Sequence, residues 1–402
     1  MPWQELSVMD QRLELARLAR QPGANKSELA RRFGINRSNL NKWVRRYREE
    51  GPAGLEDRSR RPHDNPNRTP AAVEAEVLRL RAASNNVWSG RKIAAAMRRA
   101  GRPEVPSAST IVEILRRHGR LVAGAATAQG PYRRFERPAP NELWQMDFKG
   151  HFALRAGRCH PLGVLDDHSR YALGLQACGN EQQATVREHL VAIFRRYGLP
   201  EVMLMDNGPP WGDTGCEAHT ALGVWLLRLG IRVTHGRPRH PQTQGKEERF
   251  HRTLNAEVLQ GRSFRDLAHC QQAFDTWRPI YNHERPHQAL GDATPGERYR
   301  PSLRSYPERL PAIEYAAGDR VRKVDGDGLI SFKARAWRVG KAFRGLSVAL
   351  RPTLEEGVFG LRFASHGLGT IDLRRDDATA RGHVDNADAL PTSPQAPQPQ
   401  QP

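Results

Sequence analysis

Three acidic residues stand in stretches that could bring them to one catalytic centre: Asp147 in Trp144-Gln-Met-Asp-Phe148, Asp206 in Met203-Leu-Met-Asp-Asn-Gly208, and Glu248 in Gly245-Lys-Glu-Glu-Arg-Phe250. Mg²⁺ prefers oxygen ligands. Two such ions about 3.5–4 Å apart can activate an attacking hydroxyl and stabilise the leaving oxygen in phosphoryl transfer. Any one of these residues alone is more simply interpreted as a strand-end or surface residue. The hypothesis of a metal-binding catalytic site therefore rests on all three together.

The elements around two of these residues are predicted to be strands. Apolar and polar residues alternate from Leu143 to Phe148, which places Asp147 on a strand whose opposite face is buried. Asp206 follows the apolar run Val202–Met205, at the carboxyl end of a strand, where open α/β sheets bind their ligands. Strands and amphipathic helices then follow one another along the chain. This order predicts a mixed sheet flanked by helices.

The third acidic residue lies on a predicted helix, residues 244–260. At about 100° per residue, the apolar side chains form one buried stripe, which includes Phe250 and Leu254. Glu247 falls on that stripe, whereas Glu248 lies well off it, on a face shared with Gly245. Helical geometry therefore selects Glu248 as the metal-facing carboxylate. The small residue Gly245 fits a close approach by a ligand such as DNA.

Composition narrows the class of partner. The 402 residues carry a formal net charge of +19, spread along the chain, which favours nucleic acid as a polyanionic partner. The length predicts several domains.

The four cysteines form no C-x-x-C pair, so a zinc module or a disulfide framework is not expected, and a reducing cytoplasm fits. No apolar stretch is long enough to span a bilayer. We therefore expect a cytoplasmic protein that binds nucleic acid.

Residues 1–51 predict a helix-turn-helix domain. A capped start at Asn25 and the short turn Gly34–Asn36 precede a third helix, which would enter the major groove. An ordinary three-helix bundle with a basic face is the alternative. The predicted DNA-binding residues of the third helix are Arg37, Asn39, Lys42 and Arg46.

Two linkers and a second helical unit follow. Residues 52–68 predict a basic linker, residues 69–121 a second helix-turn-helix domain, and residues 122–140 another linker. A serine cap and a terminal glycine bound the last helix of the second domain. The residues expected near its DNA-reading end are Ser107, Ser109 and Thr110.

The carboxyl-terminal part differs in pattern from the predicted catalytic core, residues 141–300. Alternating apolar residues with frequent glycines over 315–375 predict a small, basic β-barrel domain, for which DNA binding and subunit contact both remain open. Residues 376–402 end in Pro/Gln repeats and are predicted to be a disordered tail.

In combination, five motifs resemble the bacterial insertion-sequence transposases whose core is similar to retroviral integrase. They are W-x-x-D-F, L-x-D-D-H-S-R-Y, D-N-G-x-P, H-P-Q-T-Q-G-K-x-E-R-F-H-R-T-L and Tyr281-Asn-His-Glu-Arg-Pro-His-Gln-Ala-Leu290. The resemblance implies an α/β RNase H-like core preceded by all-α helix-turn-helix domains. It also implies a DDE triad of Asp147, Asp206 and Glu248, which binds metal and cleaves and joins DNA without a covalent enzyme intermediate.

Two departures accompany this resemblance. The gap between Asp206 and Glu248 is 42 positions (248 − 206), longer than in the retroviral relatives. Glu247 occupies a place that the family pattern usually makes apolar, so it would either weaken helix packing or rotate outward.

Further residues near the triad are interpreted from their positions. His240 and His251 are not expected to bind metal, because hard Mg²⁺ prefers oxygen ligands. Asp166 and Asp167 are interpreted as a turn at a strand end and not as catalytic residues. Each basic or amide side chain of the helix could bind DNA phosphate or belong to a solvated helix face. The residues proposed to hold phosphates are Gln244, Lys246, Arg249 and Arg252.

The sequence thus predicts a DNA transposase, a polynucleotidyl transferase that depends on Mg²⁺, with Mn²⁺ able to substitute. Its partner would be double-stranded DNA, both element ends and target, and it would act as a homo-oligomer on that DNA. The main alternative is a non-catalytic DNA-binding regulator derived from a transposase, for which an intact triad is not required. A plain RNase H-like nuclease is less favoured, because two DNA-reading modules indicate site-specific ends.

Overall fold

The computed structural model describes residues 7–58, 68–121, 136–206, 208, 210–212, 219–235 and 245–374, together with the backbone of two short strands at 381–382 and 385–386. The chain divides into two compact units, Met1–Arg68 and Thr69–Pro402. None of the helices in the described part of the chain has the length and apolar character that a bilayer crossing requires.

The first unit is a small helical domain in which each helix begins at a side-chain cap. Ser7, Asn25 and Asn36 accept hydrogen bonds from backbone amides of the first turns, which satisfies donors that have no intrahelical partner. The apolar side chains of the three helices share one core around Leu40. The helices are α1 (Val8–Leu18), α2 (Lys26–Arg32) and α3 (Arg37–Glu50).

This domain extends past the predicted boundary at residue 51. A 3₁₀ turn, Gly51–Leu55, continues directly from α3. Leu55 is fully buried, and the Arg12 guanidinium donates to its carbonyl oxygen at 2.8 Å. The expected linker therefore cannot begin at residue 52, because the apolar side chain of Leu55 completes the domain core.

The second unit opens with another three-helix cluster. Its helices are α4 (Ala71–Ala83), α5 (Gly90–Arg99) and α6 (Ala108–Arg117). The core of the cluster includes Trp88, Ile93 and Ile111. Gly90 allows α5 and α6 to approach closely, since a Cβ there would lie 2.5 Å from the Ala108 carbonyl oxygen.

The centre of the second unit is a mixed sheet with the strand order β4–β3–β1–β5–β6, and β2 pairs with part of β3. The central strand β1 is antiparallel to β3 and parallel to β5. This arrangement confirms the predicted mixed sheet. The strands are β1 (Leu143–Phe148), β2 (Phe152–Ala153), β3 (Arg158–Asp166), β4 (Ala172–Cys178), β5 (Val202–Met205) and β6 (Arg232–His235).

Helices cover both faces of this sheet. The apolar side chains of α7 (Gln183–Tyr197) and α8 (Ala221–Arg228) share a core with Trp144 and Met146 on one face. On the other face, α9 (Gly245–Leu254) and α10 (Leu267–Pro279) pack against side chains of β3 and β4. Each of these two helices continues into a π-helical turn, Asn255–Leu259 after α9 and Ile280–Glu284 after α10. A short 3₁₀ turn, Gln288–Leu290, and α11 (Pro295–Arg298) follow.

A small β-domain completes the second unit. Val224 and Leu227 of α8 join its apolar core, so this domain is fixed to the helices that cover the central sheet. Its strands form a five-stranded sheet and a separate three-stranded sheet. In the described part of the chain they do not close into the single barrel that the sequence predicts. The longer strands are β7 (Arg320–Lys323), β8 (Leu329–Phe332), β9 (Arg335–Arg338), β10 (Ser347–Pro352), β11 (Val358–Phe363) and β12 (His366–Asp372).

Two short strands fall within the segment predicted to be disordered. Strand β13 (Arg381–Gly382) pairs with β9, and β14 (Asp385–Asn386) pairs with β12. The prediction of a disordered tail is therefore wrong at these residues, because open edges of both sheets provide hydrogen-bonding partners for the backbone. The rest of 376–402 lies outside the described residues.

Candidate active site

Asp147 and Asp206 lie level with each other in the sheet. In the parallel pair β1–β5, Leu143 lies opposite Val202 and Gln145 opposite Leu204. The same register, continued by two residues, brings Asp147 beside Asp206, the residue that directly follows β5. Asp206 is exposed at the end of its strand. Its carbonyl oxygen lies 2.9 Å from Nδ1 of His235 on β6, which ties this end of β5 to its neighbour.

A glycine on the neighbouring strand of β1 admits α9, the helix that carries Glu248. Gly163 of β3 lies opposite Asp147. A Cβ at this position would lie 3.0 Å from Oε2 of Glu247 and 3.2 Å from Nε2 of His251. Because Gly163 has no side chain, α9 packs directly over the strand next to Asp147. Sequence reasoning assigned a requirement for a small residue to Gly245, where a Cβ would meet no described atom within 4 Å. The requirement within the protein itself falls on Gly163.

The helix turns its two adjacent acidic residues in different directions. Glu247 is fully buried, together with Phe250 and Leu254, whereas Glu248 is exposed. The predicted buried stripe of α9 is confirmed, and Glu247 lies on it. It does not rotate outward, which was one of the two expected outcomes. The role of Glu248 in binding metal stays a prediction.

The charges around Asp147 are those of a site that a divalent cation would stabilise. Burial raises the pKa of Asp147 to about 7, with further contributions from the negative charges of Asp206, Glu181 and Glu248. Among the described residues, no three His, Cys, Asp or Glu side chains are already arranged to hold a metal ion. The raised pKa of Asp147 shows that its carboxylate and those of Asp206, Glu181 and Glu248 lie in one region and repel one another. Their oxygen-only chemistry fits a hard divalent ion.

A buried carboxyl and an imidazole accompany Asp147. Nδ1 of His251 lies 3.9 Å from Oδ2 of Asp147, and Nε2 lies 3.7 Å from Oε2 of Glu247. Burial raises the pKa of Glu247 well above its usual range, and the charge of Asp147 adds to this effect. Burial also lowers the pKa of His251 to about 4, with a contribution from Lys149. Near neutral pH the His251 ring is therefore neutral, and burial favours the protonated form of the neighbouring Glu247.

Sequence reasoning missed one acidic residue near the site. The charge of Glu181 contributes to the raised pKa of Asp147. Its carboxylate oxygen lies 2.8 Å from Nδ1 of His160 on β3. Glu181 stands just before α7, far from the other acidic residues in sequence, and no motif marks it.

The amino-terminal end of α9 is fixed by an ion pair. Nζ of Lys246 contacts the carboxylate of Asp167 and lies 3.2 Å from the Asp167 carbonyl oxygen. Asp167 is fully buried and also accepts a hydrogen bond of 2.7 Å from the Gln145 side chain. Burial lowers the pKa of Lys246 to about 8, although the charge of Asp167 opposes that shift. Lys246, expected to face DNA phosphates, thus makes its described contacts inside the protein.

Asp166 has a structural surrounding. Its carboxylate accepts hydrogen bonds from the backbone N–H of Asn141 at 2.7 Å and from both the N–H and the hydroxyl of Ser169 at 2.8 and 2.7 Å. The bonds from Ser169 close the turn between β3 and β4, and the bond from Asn141 ties this turn to the segment before β1. The interpretation of Asp166 and Asp167 as a turn at a strand end is confirmed.

The other residues predicted to bind DNA differ in how far their side chains are exposed. Arg249 and Arg252 are exposed on α9. Gln244 and His240 lie outside the described residues. On α3, Arg37, Asn39 and Lys42 are exposed and Arg46 is half-buried. On α6, Ser107 and Ser109 are exposed, while Thr110 is half-buried, with its hydroxyl 2.9 Å from that of Ser107. These positions leave the predicted DNA contacts as predictions.

Comparison with protein families gives a consistent set of matches along the chain. Residues 137–241 and 229–295 match two integrase core domain models, and residues 319–379 match the C-terminal domain of IS481 family transposases. Residues 11–63 match a helix-turn-helix domain, and residues 39–115 a homeodomain-like domain. The chain therefore resembles bacterial insertion-sequence transposases with an integrase-like core, as the motifs predict.

Curated relatives and solved structures with partial similarity include three of note. The insertion element IS407 31.7 kDa protein of Burkholderia multivorans is 28% identical over 40% of this chain and 55% of the relative. The insertion element IS476 39.2 kDa protein of Xanthomonas euvesicatoria is 27% identical over 46% of this chain and 47% of the relative. The chain thus spans about half the length of these relatives. The magnesium-bound catalytic core of HTLV-2 integrase is 15% identical, with a TM-score of 0.32, over 40% of this chain and 99% of that structure.

Proposed function

We propose that this chain is a DNA transposase that cleaves element ends and joins them to target DNA with the help of a divalent metal ion. The observation that carries the proposal is the register of β1 and β5, which brings Asp147 beside Asp206. The charge of Glu248 also acts on Asp147. The likeness to transposase and integrase domains supports the same class of reaction.

In this proposal, Asp147, Asp206 and Glu248 hold the metal. A bound Mg²⁺ or Mn²⁺ would lower the pKa of an attacking water or hydroxyl and stabilise the leaving oxygen. The protein supplies position. The paired strands β1 and β5 carry Asp147 and lead directly into Asp206, and the packing of α9, the proposed catalytic helix, over Gly163 keeps Glu248 near them. The exposed guanidinium groups of Arg249 and Arg252 would bind phosphates beside the scissile bond.

The helix-turn-helix domain of the first unit and the helices α4–α6 of the second unit are proposed to read the DNA ends. Two separate readers would recognise a longer site than either domain alone. Joining two ends in one event requires more than one copy of the chain, so we propose that the protein assembles as a homo-oligomer on double-stranded DNA. A regulator that binds the same DNA without cutting it is the alternative.

The test uses the DNA that flanks the gene as labelled duplex. The wild type is compared with Glu248→Gln and Glu247→Gln in Mg²⁺ and in Mn²⁺, and nicked and joined products are measured. We expect the Glu248→Gln variant to lose at least about 10³-fold in rate, and the Glu247→Gln variant to retain most of its activity. Activity lost only at position 247 would overturn the assignment of the metal ligand. Tight binding without cutting in either metal would favour the regulator.

A further inference from the structure

One buried carboxylate joins the helices α4–α6 to the catalytic core. Glu257 lies in the π-helical turn that follows α9 and is 4% exposed. It accepts hydrogen bonds from the indole N–H of Trp88 at 3.2 Å, the indole N–H of Trp277 at 2.9 Å and Nε of Arg285 at 2.9 Å. A carboxylate with three buried donors has a well-defined position, because each donor restricts its rotation.

One of these donors belongs to the α4–α6 cluster, and the other two belong to the core. Trp88 belongs to the α4–α6 cluster, where its backbone N–H donates to Ser84 Oγ at 3.1 Å and its carbonyl oxygen accepts from the Arg81 guanidinium. Trp277 and Arg285 belong to the core. Their segment also contacts α9, because the Trp277 ring lies 5.7 Å from the ring of Phe250. Trp88 is therefore rigidly held on its own side, and Glu257 connects it to the catalytic helix.

Further contacts surround this hydrogen-bonded centre. The Asn85 side chain donates to the carbonyl oxygens of Ala256 at 3.1 Å and Gln260 at 3.3 Å, both in or next to the same π-helical turn. Arg91 of α5 lies 3.2 Å from the Asp292 carboxylate. Ile280 of the core packs into the apolar cluster of α4–α6. The helices thus contact the core through apolar, hydrogen-bonded and ionic contacts.

Positively charged side chains lie near one another where α5 meets the core. Burial lowers the pKa of Lys92 on α5 to about 8, and the nearby charges of Arg285 and Arg249 contribute to that shift. Arg249 is also an exposed residue of α9, one position after Glu248. Cations from α5 and from the catalytic helix therefore lie close enough to repel each other. A phosphate backbone that passes from one to the other would relieve this repulsion.

We propose that Glu257 is a positioning residue that fixes the α4–α6 unit to the end of the catalytic helix, so that the bases contacted by this unit determine which phosphate is cut. The proposal rests on the proposed transposase function. It assigns α4–α6 a role beyond recognition, because their fixed attachment sets the distance along DNA between the recognised bases and the metal-binding residues. The Trp88–Glu257 contact joins two buried side chains within this attachment.

The experiment maps the cut at single-nucleotide resolution on a labelled element-end duplex, with the full chain. The test variant combines Trp88→Phe with Asn85→Ala, which removes the hydrogen bonds that these two side chains donate to the π-helical turn and retains an aromatic ring in the α4–α6 core. Trp277→Phe is the matched control, because it removes the same type of hydrogen bond to Glu257 from within the core. Glu257→Gln is a second test variant, since it keeps the side-chain size and one acceptor oxygen. Circular dichroism checks that each variant is folded.

We expect the wild type and the Trp277→Phe control to cut one phosphate. The test variants should bind the duplex within about threefold of the wild-type Kd but distribute cuts over several neighbouring phosphates. Cutting by both test variants at the wild-type phosphate alone would overturn the proposal. Absence of cutting by the wild type would overturn the transposase function instead. A hydroxyl-radical footprint then tests the attachment separately: unchanged relative positions of the protected segments in the test variants would overturn it.

Discussion

Glu247 of α9 lies directly over Gly163 of β3, so closely that a Cβ on the glycine would come within 3.0 Å of the Oε2 atom of Glu247. At this contact α9 packs against β3, the strand on which Gly163 lies opposite Asp147 of β1. The contact depends on two residues 84 positions apart in the chain (247 − 163).

Gly163→Ala should displace α9. The added methyl group would crowd Glu247, His251 and Phe250 at 3.0–3.3 Å, and overpacking of this kind typically costs about 1–3 kcal/mol. We expect a similar loss of unfolding free energy, measured in urea, and a larger relative loss of DNA cutting because Glu248 moves with the helix. Gly245→Ala is the control, since a Cβ there meets nothing within 4 Å. Equal stability of both variants would contradict the packing argument.

Glu247→Leu should stabilise the metal-free protein. Neither carboxylate oxygen of Glu247 meets the full geometric criteria for a hydrogen bond within the described structure, although the Leu165 backbone N–H lies close enough to favour the charged form. Burying a polar group without a well-formed hydrogen bond costs about 1–3 kcal/mol. The folded-state pKa of Glu247 is raised above its unfolded value, so the wild type loses stability as pH rises from the unfolded pKa towards the folded pKa. The gain from leucine should therefore be larger at pH 8 than at pH 4. Unfolding curves in EDTA that show the same difference at both pH values would contradict this reasoning.

Metal affinity should fall as pH decreases below about 7. The pKa of Asp147 is raised to about 7, and a proton on this carboxylate competes with a cation. Below that pKa, the apparent affinity for Mn²⁺ should decrease by about tenfold per pH unit. Calorimetric titrations at pH 6, 7 and 8 measure the effect, with Asp147→Asn as the control without the titrating group. A constant affinity over this range would show that Asp147 is not a ligand.

Lys246→Ala and Arg249→Ala should have different effects although both remove a cation from α9. Lys246 is paired with the fully buried Asp167, and removing one partner of a buried ion pair typically costs about 3–5 kcal/mol. Arg249 is exposed, so its loss should leave stability unchanged and reduce the slope of log Kd against log salt by about 1. Thermal unfolding and salt-dependent DNA binding distinguish the two. A change of the salt slope for Lys246→Ala without a loss of stability would restore its expected role on DNA.

The sequence determined those features that depend on neighbouring residues. Helix starts at Asn25 and Ser107 are visible because a short polar side chain caps the backbone amides two or three residues later. The different exposure of Glu247 and Glu248 follows from the 100° rotation between successive helix residues. The strand that carries Asp147 was predicted correctly from apolar alternation.

Only the tertiary structure decided which distant residues meet. The requirement for a small residue at Gly163, the pairing of Lys246 with Asp167 and the three donors on Glu257 each join segments far apart in the chain. Local periodicity carries no information about such partners, because it reports which face of an element is buried and not what covers that face. The same limit explains the β-domain, where alternation predicted strands but their division between two sheets depends on long-range pairing.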